Sequence, residues 1–480
     1  MENNRKEHDL LGEREIPHDC YYGIQSLRAT ENFPITDIPI RRYPRLIKSL
    51  AYIKKAAALT NMELGLLEAY LGEAICGACD ELIDGKLLDE FVVDVIQGGA
   101  GTSTNMNANE VVANRALELL GHAKGEYDAL HPLNHVNMSQ STNDVYPTAL
   151  RITLFQGMDD LLIRMNQLQN SLENKAHEFD DVIKMGRTQL QDAVPMTLGQ
   201  EFHAWAVMVS EDMQRVAETK SLICEINLGA TAIGTGLNAH PDYSRKVIKK
   251  LRKLTGIPVT ASENLVEATQ DAGVYVQLSG VLKRVATKLS KICNDLRLLS
   301  SGPRAGFHEI NLPAMAPGSS IMPGKVNPII PEVVNQIAFE VIGNDLTVTL
   351  AAEAGQLELN VMEPVIAYNL FSSLEMLGRA CHVLADRCIQ GITANRDVCR
   401  RMVEQSIGLV TALNPYTGYE KSTQIANEAL QSGRTVYEIV LERGYLPKEQ
   451  LDAILSPKNM IKPVLYKESS RPRKVKRDKE

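Results

Sequence analysis

The chain has 480 residues, about three times the length of a typical single domain. Hydrophobic residues make up 44% and charged residues 23%, which excludes a disordered or fibrous chain. Aromatic residues are only 5% and the net charge is −8, so neither a nucleic acid nor an acidic membrane is an expected partner. An anionic ligand would therefore have to be bound by a local cluster of hydrogen-bond donors.

The composition of the N-terminus and the cysteine spacing favour a cytoplasmic protein with reduced thiols. The opening MENNRKEHDLLGERE has no apolar signal core, and no run reaches the ~18 apolar residues of a membrane span. Of the eight cysteines only Cys76 and Cys79 have C-x-x-C spacing, and no second pair completes a metal site. His131 and His135 are four residues apart, but Pro132 opposes a helical metal pair. The sequence predicts no metal site.

Two polar segments precede predicted helices in the first third of the chain. In GGAGTSTNMNANE (98–110) hydroxyl and amide side chains follow three glycines, and SQSTND (139–144) carries a similar set. Each segment taken separately is typical of a helix N-cap. Together they offer many neutral donors and few charges, a combination that suits a small dianion.

Five long helices are predicted in the middle of the chain. Between Val274 and Leu299 apolar residues recur every three or four positions, the spacing that keeps them on one helix face. Comparable patterns complete the set of predicted helices, which cover about 143–174, 199–226, 274–299, 334–352 and 364–392. Helices of this length pack most readily as a bundle, so the predicted fold class is all-α.

Two further polar segments, GRTQLQDA (186–193) and GSSIMPGKVNP (318–328), interrupt the long helices. The second segment lacks the spacing of a phosphate-binding P-loop, because five residues separate Gly318 from Gly324 and Val326 replaces the metal-binding hydroxyl. Its glycines, hydroxyls, amide and ammonium can surround a carboxylate. The alternative is an ordinary surface loop. After Tyr466 the chain is basic, and PRKVKR (472–477) is predicted to be a solvated terminus rather than a nucleic-acid patch.

The segments GSSIMPGKVNP, SQSTND and GRTQLQDAVPMTLGQEF, with the opening HDLLGEREIPHDCYYGIQSLRATENF, together resemble the aspartase/fumarase superfamily. The resemblance covers almost the whole chain and is weakest after about residue 456. Thr142, where fumarases usually carry serine, and Tyr21-Tyr22-Gly23 resemble the aspartase branch. Class II fumarate hydratase remains the alternative enzyme, and a non-catalytic structural member of the superfamily is a second alternative.

The resemblance implies an architecture as well as an activity. It implies a helical N-terminal domain (1–141), a central domain of five long helices (142–397) and a small helical C-terminal domain with the basic tail (398–480). It further implies a homotetramer with a helical core, in which three subunits contribute to each site.

The implied reaction is the reversible elimination of ammonia from L-aspartate to give fumarate. By the family pattern Ser319 is the base that removes a proton from the carbon next to the side-chain carboxylate, giving an enediolate. A serine hydroxyl is a weak base unless its alkoxide is stabilised, and Lys325 with backbone N–H groups of the loop is expected to do this. No cofactor is required for the chemistry, and activation by Mg²⁺ is left open.

The resemblance also assigns the substrate contacts. The enediolate is expected to face Thr102, Ser141, Thr142 and Ser320; the other carboxylate is assigned to Lys325 and Asn327, and the amino group to Asn143 and Thr188. Many relatives carry histidine where this chain has Gln189, and that histidine could pair with an acid matching Glu332. Because glutamine carries no proton in this way, Gln189 is expected to be a neutral contact to the amino group or a water. Which group protonates the departing ammonia stays open.

Overall fold

The computed structural model describes residues 4–461, so the basic tail lies outside the described residues. The described chain is mostly α-helical, as predicted, with 17 α-helices. In chain order these are α1 Ile24–Asn32, α2 Pro44–Glu63, α3 Ala69–Ile83, α4 Thr102–Leu119, α5 Thr142–Glu178, α6 Leu198–Ile223, α7 Tyr243–Thr255, α8 Leu265–Gln270, α9 Gly273–Leu299, α10 Ile329–Glu353, α11 Glu363–Arg387, α12 Arg396–Gln405, α13 Val410–Thr417, α14 Tyr419–Ser432, α15 Val436–Glu442, α16 Lys448–Ile454 and α17 Pro457–Met460.

The five predicted long helices are confirmed as α5, α6, α9, α10 and α11. Within α9 the predicted apolar stripe is buried at Leu278, Val285, Leu289 and Leu296, as expected for a helix that packs one face inward. None of the helices in the described chain is long and apolar enough to cross a membrane.

Four small two-stranded sheets accompany the helices, and the sequence patterns did not predict them. The strands pair as β1 Asn4–Asp9 with β2 Gly12–Pro17, β3 Ile183–Thr188 with β4 Gln191–Thr197, β5 Glu225–Ile226 with β6 Thr260–Ala261, and β7 Ile310–Asn311 with β8 Thr393–Ala394. Only the β5–β6 pair is parallel. The predicted polar segment 186–193 is therefore the turn region of the hairpin β3–β4 rather than a loop.

The chain divides into two compact units, each built from three separate stretches. Unit 1 comprises 1–165, 211–287 and 336–380, and unit 2 comprises 166–210, 288–335 and 381–480. In unit 1, α2 packs against α3 and α7, and α3 packs against α4. In unit 2, the hairpin β3–β4 contributes Ile183 and Met185 to an apolar core formed mainly by the C-terminal helices. The predicted boundaries at 141/142 and 397/398 stay predictions.

The segment Tyr21-Tyr22-Gly23 leads into α1 over a buried carboxylate. Glu110 of α4 accepts hydrogen bonds from the backbone N–H groups of Gly23 (2.8 Å), Gln25 (2.8 Å) and Ser26 (3.1 Å). These groups belong to the start of a helix, where N–H donors lack partners within the helix. A Cβ atom on Gly23 would lie 2.8 Å from the Glu110 carboxyl carbon, so this close approach requires glycine.

Candidate active site

The ten predicted site residues are divided between the two units. Thr102, Ser141, Thr142 and Asn143 belong to unit 1, whereas Thr188, Gln189, Ser319, Ser320, Lys325 and Asn327 belong to unit 2. Within each unit, folding brings polar groups together from segments that are distant in the sequence. The catalytic and binding roles of all ten residues stay predictions.

In unit 1 the N-termini of α4 and α5 lie side by side. Gly101 has φ +87°, and a Cβ atom there would lie 2.3 Å from the ring of Tyr146 in α5, so glycine allows the helices to approach. One turn into α4, the Asn105 amide donates to the Thr142 hydroxyl at 3.0 Å. Thr102 and Thr142 each begin a helix, where unpaired N–H groups favour anions. Two helix starts with exposed or half-buried hydroxyls therefore meet here.

The segment 141–144 combines helix capping with a buried carboxylate. The Ser141 hydroxyl accepts the backbone N–H of Asn143 (3.2 Å), and the Asp144 carboxylate accepts the backbone N–H of Ser141 (3.0 Å). Side chains therefore bind two backbone N–H groups that have no acceptor within the helix. The capping predicted from the sequence is confirmed. Burial raises the pKa of Asp144 to about 6, although its backbone N–H donors oppose the shift.

A glycine-rich loop between β5 and α7 adjoins this segment, and the sequence analysis missed it. Asp144 accepts the N–H groups of Gly229 and Thr231, each at 3.0 Å, and the Asn143 amide donates to the Ala232 carbonyl at 2.7 Å. The signal was present in NLGATAIGTGLN (227–238), where three glycines and polar residues separate two helices. One Asn143 N–H is thus used within unit 1, which leaves its other amide atoms for the predicted contact with the amino group.

In unit 2, Thr188 and Gln189 lie at the tip of the hairpin β3–β4. Gln189 (φ +55°) and Leu190 (φ +61°) both adopt the left-handed conformation, which matches the twist of a two-residue hairpin turn. Residues other than glycine rarely adopt this backbone conformation without strain, and such strain is common at functional sites. Thr188, Gln189 and Leu190 are all exposed.

A buried ion-pair cluster anchors the hairpin. Glu309, which is fully buried, contacts Lys184 at 3.0 Å and Arg187 at 2.6 Å, and Lys184 also contacts Glu201 at 2.5 Å. Burial acts to lower the pKa of Lys184, but the two carboxylates raise it overall. Because Arg187 directly precedes Thr188, this cluster positions the hairpin tip.

The loop 318–328 in unit 2 is organised around its predicted base. The Ser319 hydroxyl oxygen accepts the backbone N–H groups of Ile321 (3.2 Å) and Met322 (3.0 Å). Hydrogen bonds to an oxygen favour its anionic form, so this arrangement suits a serine alkoxide. Ser319 is half-buried, whereas Ser320 and Lys325 are exposed.

The two ends of the same loop are tied together. The Gly318 N–H donates to the Lys325 carbonyl at 2.8 Å, and the Asn327 amide donates to the Gly318 carbonyl. A Cβ atom on Gly318 would lie 2.1 Å from the Lys325 carbonyl oxygen, so only glycine fits there. Asn327 therefore closes the loop, and its predicted substrate contact would use its other amide atoms.

The histidine pair that the sequence singled out is hydrogen-bonded to backbone N–H groups, and the cysteine pair lies in a helix. The His131 ring accepts the N–H of Leu133 at 3.0 Å, and the His135 ring accepts the N–H of His131 at 2.8 Å. Cys76 and Cys79 lie in α3, and burial raises the pKa of both thiols. Among residues 4–461, no group of three or more acidic, histidine or cysteine side chains could hold a metal ion.

Two family models match the chain. Residues 12–343 match a family described as lyase, and residues 409–462 match one described as fumarase C C-terminus. With the helical fold and the polar segments above, these matches define the class: the chain belongs to the aspartase/fumarase superfamily of lyases.

The relatives place the chain in the aspartate ammonia-lyase branch of this superfamily. The chain is 61% identical to the aspartate ammonia-lyase of Helicobacter pylori, an alignment that covers 96% of this chain and 99% of that protein. A crystal structure of a fumarate lyase:delta crystallin from Brucella melitensis, bound to cobalt, is 55% identical with a TM-score of 0.94, covering 96% of this chain and 100% of that one. A crystal structure of a class II fumarase from Schistosoma mansoni is 37% identical with a TM-score of 0.91, and the match covers 95% of this chain and 99% of that one. The lower identity to the fumarase favours the aspartase branch.

Proposed function

We propose that the protein catalyses the reversible elimination of ammonia from L-aspartate to give fumarate. The observation that carries the proposal is the loop 318–328, in which two backbone N–H groups hold the Ser319 oxygen and a lysine lies six residues further on. The 61% identity to an aspartate ammonia-lyase supports the same substrate.

In the proposed mechanism, Ser319 acts as the general base. Its alkoxide, stabilised by the N–H groups of Ile321 and Met322, removes a proton from the carbon next to the side-chain carboxylate. The electron pair delocalises into that carboxylate and gives an enediolate with additional negative charge. Donors that are already oriented toward this position lower the barrier, because they need not reorganise during the reaction.

The other predicted site residues are assigned to contacts with the substrate in this mechanism. Thr102, Ser141, Thr142 and Ser320 meet the enediolate, and Lys325 with Asn327 holds the second carboxylate. Asn143, Thr188 and Gln189 face the amino group. When the enediolate collapses, the bond from carbon to the substrate's ammonium group breaks, the bonding electron pair stays on nitrogen, and neutral ammonia leaves. The chemistry needs no cofactor as written, and adding Mg²⁺ or EDTA to the assay measures any activation by the ion.

We further propose that the active unit is a homotetramer. Along α10, Phe339 (64% exposed), Ile342 (39%), Leu346 (61%) and Leu350 (60%) form one apolar face with helical spacing. Contiguous apolar surface of this kind is typical of a protein interface. Helices from other copies of the chain suit it best, because they present the same spacing and bury the same face. In the tetramer, Thr102 and Ser319 of each site come from different subunits.

We place the enzyme in the cytoplasm. Its eight cysteines are all unpaired, which supports a reducing compartment.

Fumarate absorbance tests the activity directly. Purified protein should produce fumarate from L-aspartate and should consume fumarate when ammonium is present, whereas L-malate should give negligible fumarate. Rapid dehydration of malate without any response to aspartate would assign the protein to the fumarases. No turnover of either substrate would favour a non-catalytic member.

Mixed tetramers test the shared site. The inactive Thr102→Ala and Ser319→Ala proteins, unfolded together and refolded, should recover part of the activity, because some sites receive two intact segments. Mixing without subunit exchange should recover none. Mixed tetramers that form, as shown by a tag on one variant, but stay inactive would refute the shared site for this pair.

A further inference from the structure

A lysine that the mechanism does not use is buried behind Thr142. Lys54 of α2 is 0% exposed, and its three N–H donors are all used by amide oxygens. Its ammonium nitrogen lies 2.7 Å from the oxygen of Asn105, 2.9 Å from that of Asn137 and 3.0 Å from that of Gln140. All these residues belong to unit 1.

The ammonium determines which way the surrounding amides face. Lysine can only donate hydrogen bonds, so each amide must turn its oxygen toward Lys54. Asn105 is thereby forced to turn its NH₂ group away from the lysine. That group donates to the Thr142 hydroxyl oxygen at 3.0 Å and also contacts the Asn137 oxygen at 3.2 Å.

This chain of donors has a consequence for Thr142. A hydroxyl group has one proton and two acceptor positions. Since the Thr142 oxygen accepts from Asn105, the hydroxyl proton need not be donated into the protein. It remains available for an anion at the start of α5. If Asn105 were reversed, its oxygen would accept that proton instead.

We propose that Lys54 is a positioning residue for the lyase reaction, which orients the Asn105 amide so that the Thr142 hydroxyl donates its proton to the substrate carboxylate. The inference rests on the proposed function, because it takes Thr142 as a substrate contact. Lys54 itself does not touch the substrate.

Burial and a nearby carboxylate act on the charge of Lys54 in opposite directions. Burial lowers the pKa of Lys54 to about 7, and the carboxylate of Asp144 opposes this shift, so the ammonium form that orients the amides predominates below about pH 7. Keeping an ammonium fully buried is costly, and three amide oxygens compensate it less than a directly bonded carboxylate would. A lysine with only a packing role could be replaced by an apolar residue at lower cost. The specific orientation of the amides is what the charge provides.

Asn105→Asp separates orientation from packing. Aspartate has nearly the shape of asparagine and still accepts from Lys54, but it cannot donate to Thr142, so the Thr142 proton would turn toward the new carboxylate. We expect kcat/KM for aspartate to fall about a hundredfold, comparable to the loss of one oriented donor. Thr142→Val should cause a similar loss, and the double variant should lie within about twofold of Thr142→Val alone.

Asn109→Asp is the matched control. Asn109 lies one turn further along α4, is also buried, and also donates to the Asn137 oxygen at 3.2 Å. Asn109→Asp also removes a hydrogen bond to the Asn137 oxygen and also buries a carboxylate in α4. It leaves the Asn105 amide, which donates to Thr142, in place. We expect a much smaller loss of kcat/KM. In the double variant Asn109→Asp/Thr142→Val, the two fold-losses should multiply, because the two residues act independently.

The lysine itself is tested by Lys54→Met in the wild-type and Thr142→Val backgrounds, with circular dichroism as a check of folding. We expect a large loss in the first background and little further loss in the second. Two results would overturn the proposal and leave a structural role. One is that the fold-losses of Lys54→Met and Asn105→Asp both multiply with that of Thr142→Val. The other is that Asn109→Asp lowers kcat/KM as much as Asn105→Asp does. The dissociation constant of succinate, measured for the same single and double variants, gives a second double-mutant cycle that does not depend on turnover. Wild-type activity on aspartate decides the proposed function separately.

Discussion

The sharpest prediction concerns Ser319→Ala, because the structure separates its effect on chemistry from its effect on folding. The substitution removes the oxygen that accepts the N–H groups of Ile321 and Met322. Both of these residues are exposed, Ile321 at 83% and Met322 at 47%, so water can replace the lost acceptor. We expect the free energy of unfolding to change by less than ~1 kcal/mol, the scale of one solvent-accessible hydrogen bond.

The catalytic effect should be much larger. A positioned general base contributes about 10²- to 10⁴-fold to a rate, so kcat should fall by that factor. Binding of succinate should be nearly unchanged, since in the proposed mechanism Ser319 is the reacting group and does not anchor either carboxylate. The loop should keep its shape, because the Gly318–Lys325 backbone hydrogen bond (2.8 Å) does not involve the serine side chain.

The assay combines fumarate absorbance, succinate titration by calorimetry, and thermal unfolding of the same preparations. Ser320→Ala is the neighbouring control, and it should lower kcat/KM by a smaller factor because it removes a donor but leaves the base. Near-wild-type kcat for Ser319→Ala would refute the assignment of the base. A large loss of thermal stability or of succinate binding would refute the separation between chemistry and folding.

Three further predictions concern residues of unit 2. Lys325→Ala should weaken succinate binding and lower kcat/KM, each by roughly 10- to 100-fold, because it removes a charge-assisted hydrogen bond; unchanged binding would place Lys325 away from the carboxylate. Gln189→His should change the dependence of kcat/KM on pH between about 6 and 9 more than it changes succinate affinity, since it introduces a group that titrates near neutrality; an unchanged profile would place Gln189 outside the site. Glu309→Gln should lower the free energy of unfolding by about 3 kcal/mol in urea titrations, because it removes the buried carboxylate that Lys184 and Arg187 share. Asp181→Asn breaks an exposed ion pair with Arg396 (2.8 Å) and serves as its control, and equal effects of the two variants would contradict the importance of burial.

The long helices could be predicted because their signal is local. An apolar residue every three or four positions is sufficient to define a helix and its buried face, and α9 has its predicted stripe in the core. The same reasoning could not distinguish an inward face from an interface. On α10 the apolar residues occupy two faces, and only the structure shows that Phe339 and Leu346 are exposed.

The segment 186–193 shows where local patterns fail. Its polar residues predict an irregular loop, but it forms the hairpin β3–β4, because Ile183 and Met185 join an apolar core with residues more than 200 positions later in the chain. Gln189 and Leu190 adopt left-handed conformations that favour glycine or asparagine, so nothing in their identity indicated a tight turn.

The sequence by itself provided the candidate site residues, because its polar segments resemble those of the aspartase/fumarase superfamily and are visible in the linear chain. The partners that orient them were decided only by tertiary structure. No sequence pattern singled out Lys54, and its partners Asn105, Asn137 and Gln140 are 51 to 86 residues away. Glu309 likewise meets Lys184 and Arg187 across more than a hundred residues. The physical reason is that buried charges need partners in three dimensions, and the packing of distant segments determines which partners those are.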